Sequence, residues 1–282
     1  MKRYTINNFN QDFPNDSACL EWLKNYLYPD GILCQVCGKI TRHHRVKGRS
    51  SYACDRCGNH IYPMAGTIFE HSATPLKSWF YAIYLMSATR CGISAKQIQR
   101  ETGVTYKTAW RMFRQIRSLL QEDTPTLTGE VEVDETYIGS RKPGKRGRGA
   151  EGKAKVIGAA QRNGNVIAKV IPDVKSRSLV PFMVRRISPK ATLYTDTFPS
   201  YDTMTRLGYK HLRIEHEVKK FVKGSIHTNN IEGFWSLLKR GIGGVYHSVS
   251  EKYLQNYINE YSFRYNHRKD EKPMFETVLE RV

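Results

Sequence analysis

Four cysteines in two matched pairs constrain the fold of this chain more than any other feature. Cys34-x-x-Cys37 and Cys54-x-x-Cys57 are separated by sixteen residues, and a glycine directly follows each pair. Each pair lets one tight turn bring two thiolates to a tetrahedral ion, and this spacing is typical of zinc ribbons. Two redox-active pairs, or four unrelated buried cysteines, are the alternatives. Because four thiolates leave no open coordination position, the predicted zinc ion, one per chain, is structural.

The balance of charges indicates a polyanionic partner. The 282 residues include 45 Lys and Arg against 26 Asp and Glu, a formal net charge of +19, and nucleic acid is the simplest partner for such an excess. Hydrophobic residues make up 40%, enough for a folded core, which excludes a wholly disordered chain. We find no apolar run near the roughly twenty residues that a membrane span needs, and no secretion signal at the start. We therefore expect a protein of the reducing cytoplasm, without membrane contact.

Residues 73–123 show helical periodicity and predict a helix-turn-helix. Ser94 can cap a short helix, Gly103 ends it, and Thr105 can cap the next helix. In a helix-turn-helix, the second helix enters the major groove with its first turns at the bases. A plain helical hairpin that packs a core is the alternative. The side chains predicted to face DNA are Thr105, Tyr106, Lys107 and Arg111.

From Gly129 onward the pattern changes to alternating, strand-like segments: GEVEVDETYI, KVIGAAQ and NVIAKVIPD. Asn163-Gly164 separates the last two and is a strong hairpin signal. A helix, a fourth strand (ATLYTDTF) and a short helix ending at Gly208 follow. Three meandering strands and then alternating helix and strand resemble an RNase H-like layout. The predicted fold class is therefore α/β, with an RNase H-like catalytic domain at 127–282, preceded by a zinc ribbon at 1–72 and a helix-turn-helix module at 73–123.

Three acidic residues are the candidate catalytic groups of this last region. Asp134 lies on the first predicted strand, Asp196 at the end of the fourth, and Glu232 near the start of a helical stretch. Carboxylates from two strands and a helix can hold two divalent ions for an in-line displacement at phosphorus. Oxygen ligands of this kind suit Mg²⁺. Lys239 follows Glu232 by two helical turns and can hold a DNA phosphate beside the ions.

Each of these carboxylates also has an alternative interpretation. Glu132 and Glu135 flank Asp134, and either could be the ligand instead. Asp196 could cap a turn, and Glu232 could complete a capping box. Competing candidates for the third ligand are His227, Asn229 and Asn230.

The chain resembles the DDE transposases of bacterial insertion sequences, in the zinc-ribbon group related to Merlin elements (ISXO-type). The resemblance lies in the cysteine ribbon and in VEVDETYIG, LYTDTFPSY and HTNNIEGFWSLLKRGIGGVYHSVSEKYLQNYINEYSFRYNHR, and it covers nearly the whole chain. It implies that Asp134, Asp196 and Glu232 are the metal-binding catalytic acids, with two Mg²⁺ (or Mn²⁺) per active site. Lys239 corresponds to the basic residue that follows the third acid in this family. The implied activity is binding of the element ends, strand cleavage, and joining of the 3′ ends to target DNA.

The expected partners are double-stranded DNA, as terminal inverted repeats and as target, and further copies of the chain, as a homodimer or higher oligomer on DNA at the bacterial nucleoid. Gly139–Lys155 is a basic segment suited to a phosphate backbone. The alternative functions are an RNase H-like nuclease or resolvase and a non-catalytic zinc-ribbon/helix-turn-helix regulator. A bare nuclease would not need two DNA-binding modules, which favours the transposase. The remaining predicted DNA contacts are Arg141, Lys142, Lys145, Arg146, Arg148, Lys239 and Arg240.

Overall fold

The computed structural model describes residues 4–123, 125–139, 152–214 and 227–282. The chain forms two compact units: the first comprises Met1–Leu119 with Asp270–Val282, and the second Leu120–Lys269. None of the helices in these described ranges is both long and apolar enough to cross a membrane.

The first unit combines short β-hairpins with helices. Strands β1 and β2 form one antiparallel pair, and β3, β4 and β5 form a separate three-stranded sheet. A cluster of aromatic rings, including Phe9, Phe13, Trp79 and Phe80, is buried among the helices. Up to Leu119 its elements are α1 (Ile6–Asp12), α2 (Asp16–Leu27), β1 (Ile32–Cys34), β2 (Lys39–Thr41), β3 (His43–Arg45), β4 (Tyr52–Cys54), β5 (His60–Ile61), α3 (Leu76–Ala88), α4 (Ala95–Thr102) and α5 (Tyr106–Leu119).

The junction between α4 and α5 follows the predicted capping pattern. The Ser94 hydroxyl accepts a hydrogen bond from the Gln97 N–H at 3.2 Å, and Gly103 ends α4 in the left-handed conformation with φ of 70°. At the start of α5, the Thr105 hydroxyl accepts from the Thr108 N–H at 3.2 Å. The predicted caps of these two helices are therefore confirmed.

The second unit is built on a five-stranded sheet with the order β10-β9-β6-β7-β8. Strands β6, β7 and β8 form an antiparallel meander, whereas β9 pairs parallel with β6, and β10 pairs parallel with β9. The elements are β6 (Glu130–Ile138), β7 (Ala154–Gln161), β8 (Val166–Ile171), α6 (Ser176–Arg186), β9 (Thr192–Asp196), α7 (Asp202–Arg206), β10 (Lys210–Ile214), α8 (Asn229–Gly241) and α9 (Glu251–Asn266).

Helices cover both faces of this sheet. Val131 and Val133 of β6 belong to a buried cluster with residues of α6 and α7, whereas Ile138 packs with residues of α8 and α9. Because side chains alternate along a strand, Glu132 and Asp134 face α8. The two residues therefore lie under the helix that carries Glu232.

The predicted hairpin between β7 and β8 is confirmed. Asn163 has φ of 59°, and the Gly164 N–H donates to the Gln161 carbonyl at 3.0 Å. Strand β10 was not predicted, although the short helix before Gly208 was.

The last helix, α10 (Met274–Leu279), packs in the first unit. It contacts α3, and its Phe275 ring lies 4.7 Å from Tyr4 and 5.9 Å from Phe13 between ring centres. Residues 270–282, assigned to the catalytic domain by the sequence, thus pack with the N-terminal elements. The three domain boundaries drawn from the sequence remain predictions.

Candidate functional site

The four cysteine sulfurs converge at one point in the first unit. All four Sγ atoms lie within 4.8 Å of one another, with 3.5 Å between Cys34 and Cys57 and 3.9 Å between Cys37 and Cys54. Tetrahedral Zn–S bonds of about 2.3 Å place the sulfurs about 3.8 Å apart. The ligand set and its spacing therefore fit one structural zinc ion.

Each cysteine pair occupies the same kind of backbone turn. The N–H of Gly38 donates to the carbonyl of Cys34, and that of Gly58 to Cys54, both at 2.9 Å. The two glycines have φ of 65° and 71°, where a side chain would be strained. The Thr41 hydroxyl lies 3.2 Å from Cys54 Sγ and lowers the pKa of this thiol to about 6. A lowered pKa favours the thiolate, which is the form that binds metals. The hydrogen bond with Cys57 and burial raise the pKa of Cys37 to about 12, and a bound cation would offset this rise.

The side chains predicted to face DNA from the helical module are all solvent-exposed. Thr105 caps α5, and Tyr106 and Lys107 are the first two residues of the helix. Arg111, one turn further along, donates to the Ser72 hydroxyl at 3.0 Å. The structure thus places these residues at one accessible end of α5, and their contact with DNA stays a prediction.

Asp134 and Asp196 lie on neighbouring parallel strands. The register pairs Glu132 of β6 with Tyr194 of β9, and each aspartate lies two residues beyond that pair. Burial, together with the charges of Glu135 and Asp196, raises the pKa of Asp134 to about 7. These surroundings disfavour the ionised carboxylate, and a bound cation would stabilise it.

Hydrogen bonds orient both aspartates. The indole N–H of Trp235 on α8 donates to Asp134 Oδ2 at 3.0 Å. The backbone N–H of Phe198 donates to Asp196 Oδ1 at 2.9 Å. Asp196 therefore does cap the turn after β9, and it does so at the strand end beside Asp134.

Close packing of α8 on the sheet brings Trp235 to Asp134. Gly158 of β7 is the cross-strand partner of Asp134. A Cβ atom at Gly158 would lie 2.6 Å from the Trp235 ring and 2.9 Å from Ile231. Glycine at this position therefore allows α8 to approach the sheet.

Glu232 is exposed in the first turn of α8, where its Oε1 accepts from the Thr228 hydroxyl at 2.9 Å. Within the described ranges, the four cysteines form the one group of metal-ligating atoms that all lie within 4.8 Å of one another. The carboxylates of Asp134, Asp196 and Glu232 are therefore spread more widely. Two ions about 4 Å apart take a wider ligand set than one ion, and the assignment of these acids as ligands stays a prediction.

Lys239 lies two turns after Glu232, near Asp134. Its side chain is solvent-exposed, and desolvation of the ammonium group lowers its pKa; the charge of Asp134 opposes this shift and that of Lys153 adds to it. Arg240 is solvent-exposed at the end of the same helix. The other predicted DNA contacts lie outside the described residues: Arg141, Lys142, Lys145, Arg146 and Arg148.

Comparison with protein families identifies the second unit. Residues 126–266, half of the chain, match the ISXO2-like transposase domain. The chain belongs to this transposase family. Residues 14–60 match the transposase zinc-ribbon domain. The resemblance drawn from the sequence motifs is therefore confirmed.

Individual proteins are similar to this transposase over different lengths. A protein of transposable element ISH50 from Halobacterium salinarum is 28% identical over 291 residues, covering 95% of this chain and 97% of the relative. A transposase-like protein from Haemophilus influenzae is 31% identical over 101 residues, covering 36% of this chain and 80% of the relative. A chain in the cryo-EM structure of the simian T-cell lymphotropic virus intasome with PP2A regulatory subunit B56 gamma has a TM-score of 0.33 at 13% identity, covering 70% and 74% of the two chains.

Glu132 of the transposase is fully buried and contacts the start of α8. Its carboxylate accepts from the backbone N–H of Asn230 at 2.8 Å, from the backbone N–H of Ile231 at 3.1 Å and from the side-chain amide of Asn230 at 2.8 Å. Arg162 Nε donates to it at 3.0 Å, and His227 Nδ1 lies 3.2 Å away. The sequence alone offers Glu132 only as an alternative metal ligand and gives no sign of this contact.

Glu135 points to the opposite face of the sheet. The buried hydroxyl of Tyr201 donates to its Oε2 at 2.7 Å. Strand alternation thus separates Glu135 from α8, whereas it places Glu132 and Asp134 together under the helix. This alternation was readable from the sequence, but the partners of each carboxylate were not.

Proposed function

We propose that this transposase binds the ends of an insertion sequence, cleaves the DNA strands and joins the 3′ ends to target DNA by phosphoryl transfer. The observation that carries the proposal is the pair of Asp134 and Asp196 on neighbouring parallel strands, beneath the helix whose first turn holds Glu232. Membership of the ISXO2-like family and a net charge of +19 support DNA as the substrate.

We propose an RNase H-like fold for the second unit. The support is its sheet, in which three antiparallel strands are extended by two parallel strands, with helices on both faces. In this arrangement the first and fourth strands of the unit, β6 and β9, are neighbours. The two aspartates that they carry can therefore act on one phosphate.

The proposed cofactor of the reaction is Mg²⁺ or Mn²⁺, two ions held by Asp134, Asp196 and Glu232. The residues fit these ions because the ligands are carboxylates, which hard divalent cations prefer. Burial and the neighbouring carboxylates raise the pKa of Asp134, and a bound cation would offset both effects. When bound, the ions activate the attacking water or 3′ hydroxyl and stabilise the leaving oxygen.

The residues of the chain itself orient the site and hold the DNA. Trp235 and Phe198 each fix one oxygen of an aspartate, which reduces the reorganisation that ligand binding requires. Lys239, whose ammonium group lies near Asp134, is suited to hold a DNA phosphate there.

We assign recognition of the element ends to the first unit. Helices α4 and α5 are proposed to be a helix-turn-helix, with the exposed Thr105, Tyr106, Lys107 and Arg111 towards the major groove. The segment between the cysteine pairs is rich in Lys and Arg and adds phosphate contacts. Because an element has two ends, a homodimer or higher oligomer on DNA is part of the proposal.

The proposal is tested by cleavage and joining of a labelled duplex that carries the element terminus, in Mg²⁺, with a parallel binding assay. Asp134→Asn, Asp196→Asn and Glu232→Gln keep side-chain size, and each is expected to abolish cleavage while DNA binding is retained. Glu251→Gln is the matched control, since Glu251 is an exposed carboxylate in the first turn of α9. Wild-type cleavage by Asp134→Asn would refute the site; wild-type cleavage by Glu232→Gln would move the third ligand elsewhere.

A further inference from the structure

Glu132 connects the two elements that carry the first and third catalytic acids. It lies on β6 two residues before Asp134, and it binds Asn230, which lies two residues before Glu232 on α8. Glu132 and Asn230 are 98 residues apart in the chain. One hydrogen-bonded contact therefore joins the strand of Asp134 to the helix of Glu232, two residues before each acid.

The chemistry of this contact suits a helix start. The first backbone N–H groups of a helix have no partner within the helix, and its N-terminus favours negative charge. Glu132 accepts from two such N–H groups, those of Asn230 and Ile231. A displaced α8 would leave these groups and a buried carboxylate without partners, which opposes movement of the helix.

Arg162 reinforces the contact from the turn between β7 and β8. Its Nε donates to Glu132 at 3.0 Å, and its NH2 group donates to the His227 carbonyl at 3.0 Å, just before α8. The guanidinium also stacks over the Tyr194 ring, with 4.1 Å to the ring centre. Arg162 thus holds both Glu132 and the residue that leads into the helix.

We propose that Glu132, supported by Arg162, is a positioning residue of the transposase. It fixes the first turn of α8 against β6, and this sets the place of Glu232 relative to Asp134. Glu132 touches neither DNA nor metal in this proposal and acts through the helix. The inference rests on the proposed function, in which Glu232 and Asp134 act on the same phosphate.

The test compares Glu132→Gln with Glu130→Gln in the full chain. Glu130 also pairs with Arg162, at 3.3 Å, but it is exposed and serves as the matched control. We expect Glu132→Gln to bind the terminal duplex as wild type does and to need about tenfold more Mg²⁺ for half-maximal end cleavage. Glu130→Gln should keep the wild-type Mg²⁺ dependence. Wild-type Mg²⁺ dependence of Glu132→Gln would overturn the proposal.

A second readout does not depend on activity. The ¹⁵N–¹H signal of the Trp235 indole reports the contact of α8 with Asp134, and a Trp235→Phe variant assigns it. In metal-free protein we expect this signal to shift in Glu132→Gln and not in Glu130→Gln; an unchanged signal in Glu132→Gln refutes the positioning role. Absence of Mg²⁺-dependent cleavage in the wild type would count against the proposed function alone.

If Glu132→Gln does not fold, Arg162→Lys provides the same test. Lysine keeps the positive charge beside Glu132 but cannot bind Glu132 and the His227 carbonyl together with the geometry of a guanidinium. The expected result is again a higher Mg²⁺ requirement with a shifted Trp235 signal in a cooperatively melting protein. A folded Arg162→Lys variant with both properties unchanged would contradict the proposal.

Discussion

Replacement of Gly158 by alanine should destabilise the second unit through a single added methyl group. The new Cβ would lie 2.6 Å from the Trp235 ring and 2.9 Å from Ile231, both on α8, so the helix has to move. Overpacking of this kind costs about 1–3 kcal/mol, and the lower entropy of an unfolded alanine offsets about 0.5–1 kcal/mol. At the middle of both ranges the net loss is roughly 1.2 kcal/mol, which corresponds to a fall of about 2–5 °C in Tm for a unit of this size.

The matched control is Gly233→Ala on the exposed side of the same helix. A Cβ at Gly233 would meet nothing within 4 Å, so helix propensity alone acts there and should raise stability by about 0.5–1 kcal/mol. Thermal unfolding of the two full-length variants, followed by circular dichroism, measures both changes. Opposite signs are expected. A Gly158→Ala variant as stable as the wild type would refute the inference that close packing requires glycine there.

Three further predictions concern metal, salt and pH. Cys34→Ser should lose the single zinc ion and melt at a lower temperature, whereas Cys91→Ser should keep the zinc; metal analysis of purified protein decides this. Affinity for the terminal duplex should fall steeply with salt, and Lys239→Ala should reduce the slope of log K against log salt by about one, as fluorescence anisotropy would show. Because the pKa of Asp134 rises from 3.8 to about 7 on folding, the folded state holds a proton that the unfolded chain releases. In buffer without Mg²⁺ or Mn²⁺ but with the zinc retained, stability should therefore fall as pH rises from about 4 to 7, and Asp134→Asn should reduce that fall in thermal melts.

Local patterns in the sequence predicted the features that depend on residues close together in the chain. The two cysteine pairs and their glycines set the zinc turns, and Ser94 and Gly103 set the ends of α4. Asn163-Gly164 set the hairpin because Asn tolerates the positive φ that the turn needs. In each case the residues that determine the conformation are within a few positions of one another.

Long-range contacts determine the features that local patterns do not indicate. Strand β10 (Lys210–Ile214) has no clear alternation of buried and exposed residues, and its position follows from pairing with β9. Residues 270–282 pack through Phe275 on aromatic residues near the N-terminus. The contact of Glu132 with Asn230 joins residues 98 apart, which no local pattern can indicate. The three candidate acids were found by residue type and element, but their supporting partners required the fold.

Glu132 and Asp134, which lie on the same face of β6, differ in the charges that surround them. Glu132 faces a guanidinium and the N-terminus of α8, so its negative charge contributes to holding the sheet and helix together. Asp134, two residues later on the same face, is half-buried near two other carboxylates, and its raised pKa indicates that its ionised form is destabilised there. A divalent cation would relieve that destabilisation, whereas at Glu132 the compensating charge comes from the protein. Of the two acids on this face of the strand, the fully buried Glu132 can thus hold the helix, whereas the half-buried Asp134 is suited to bind metal.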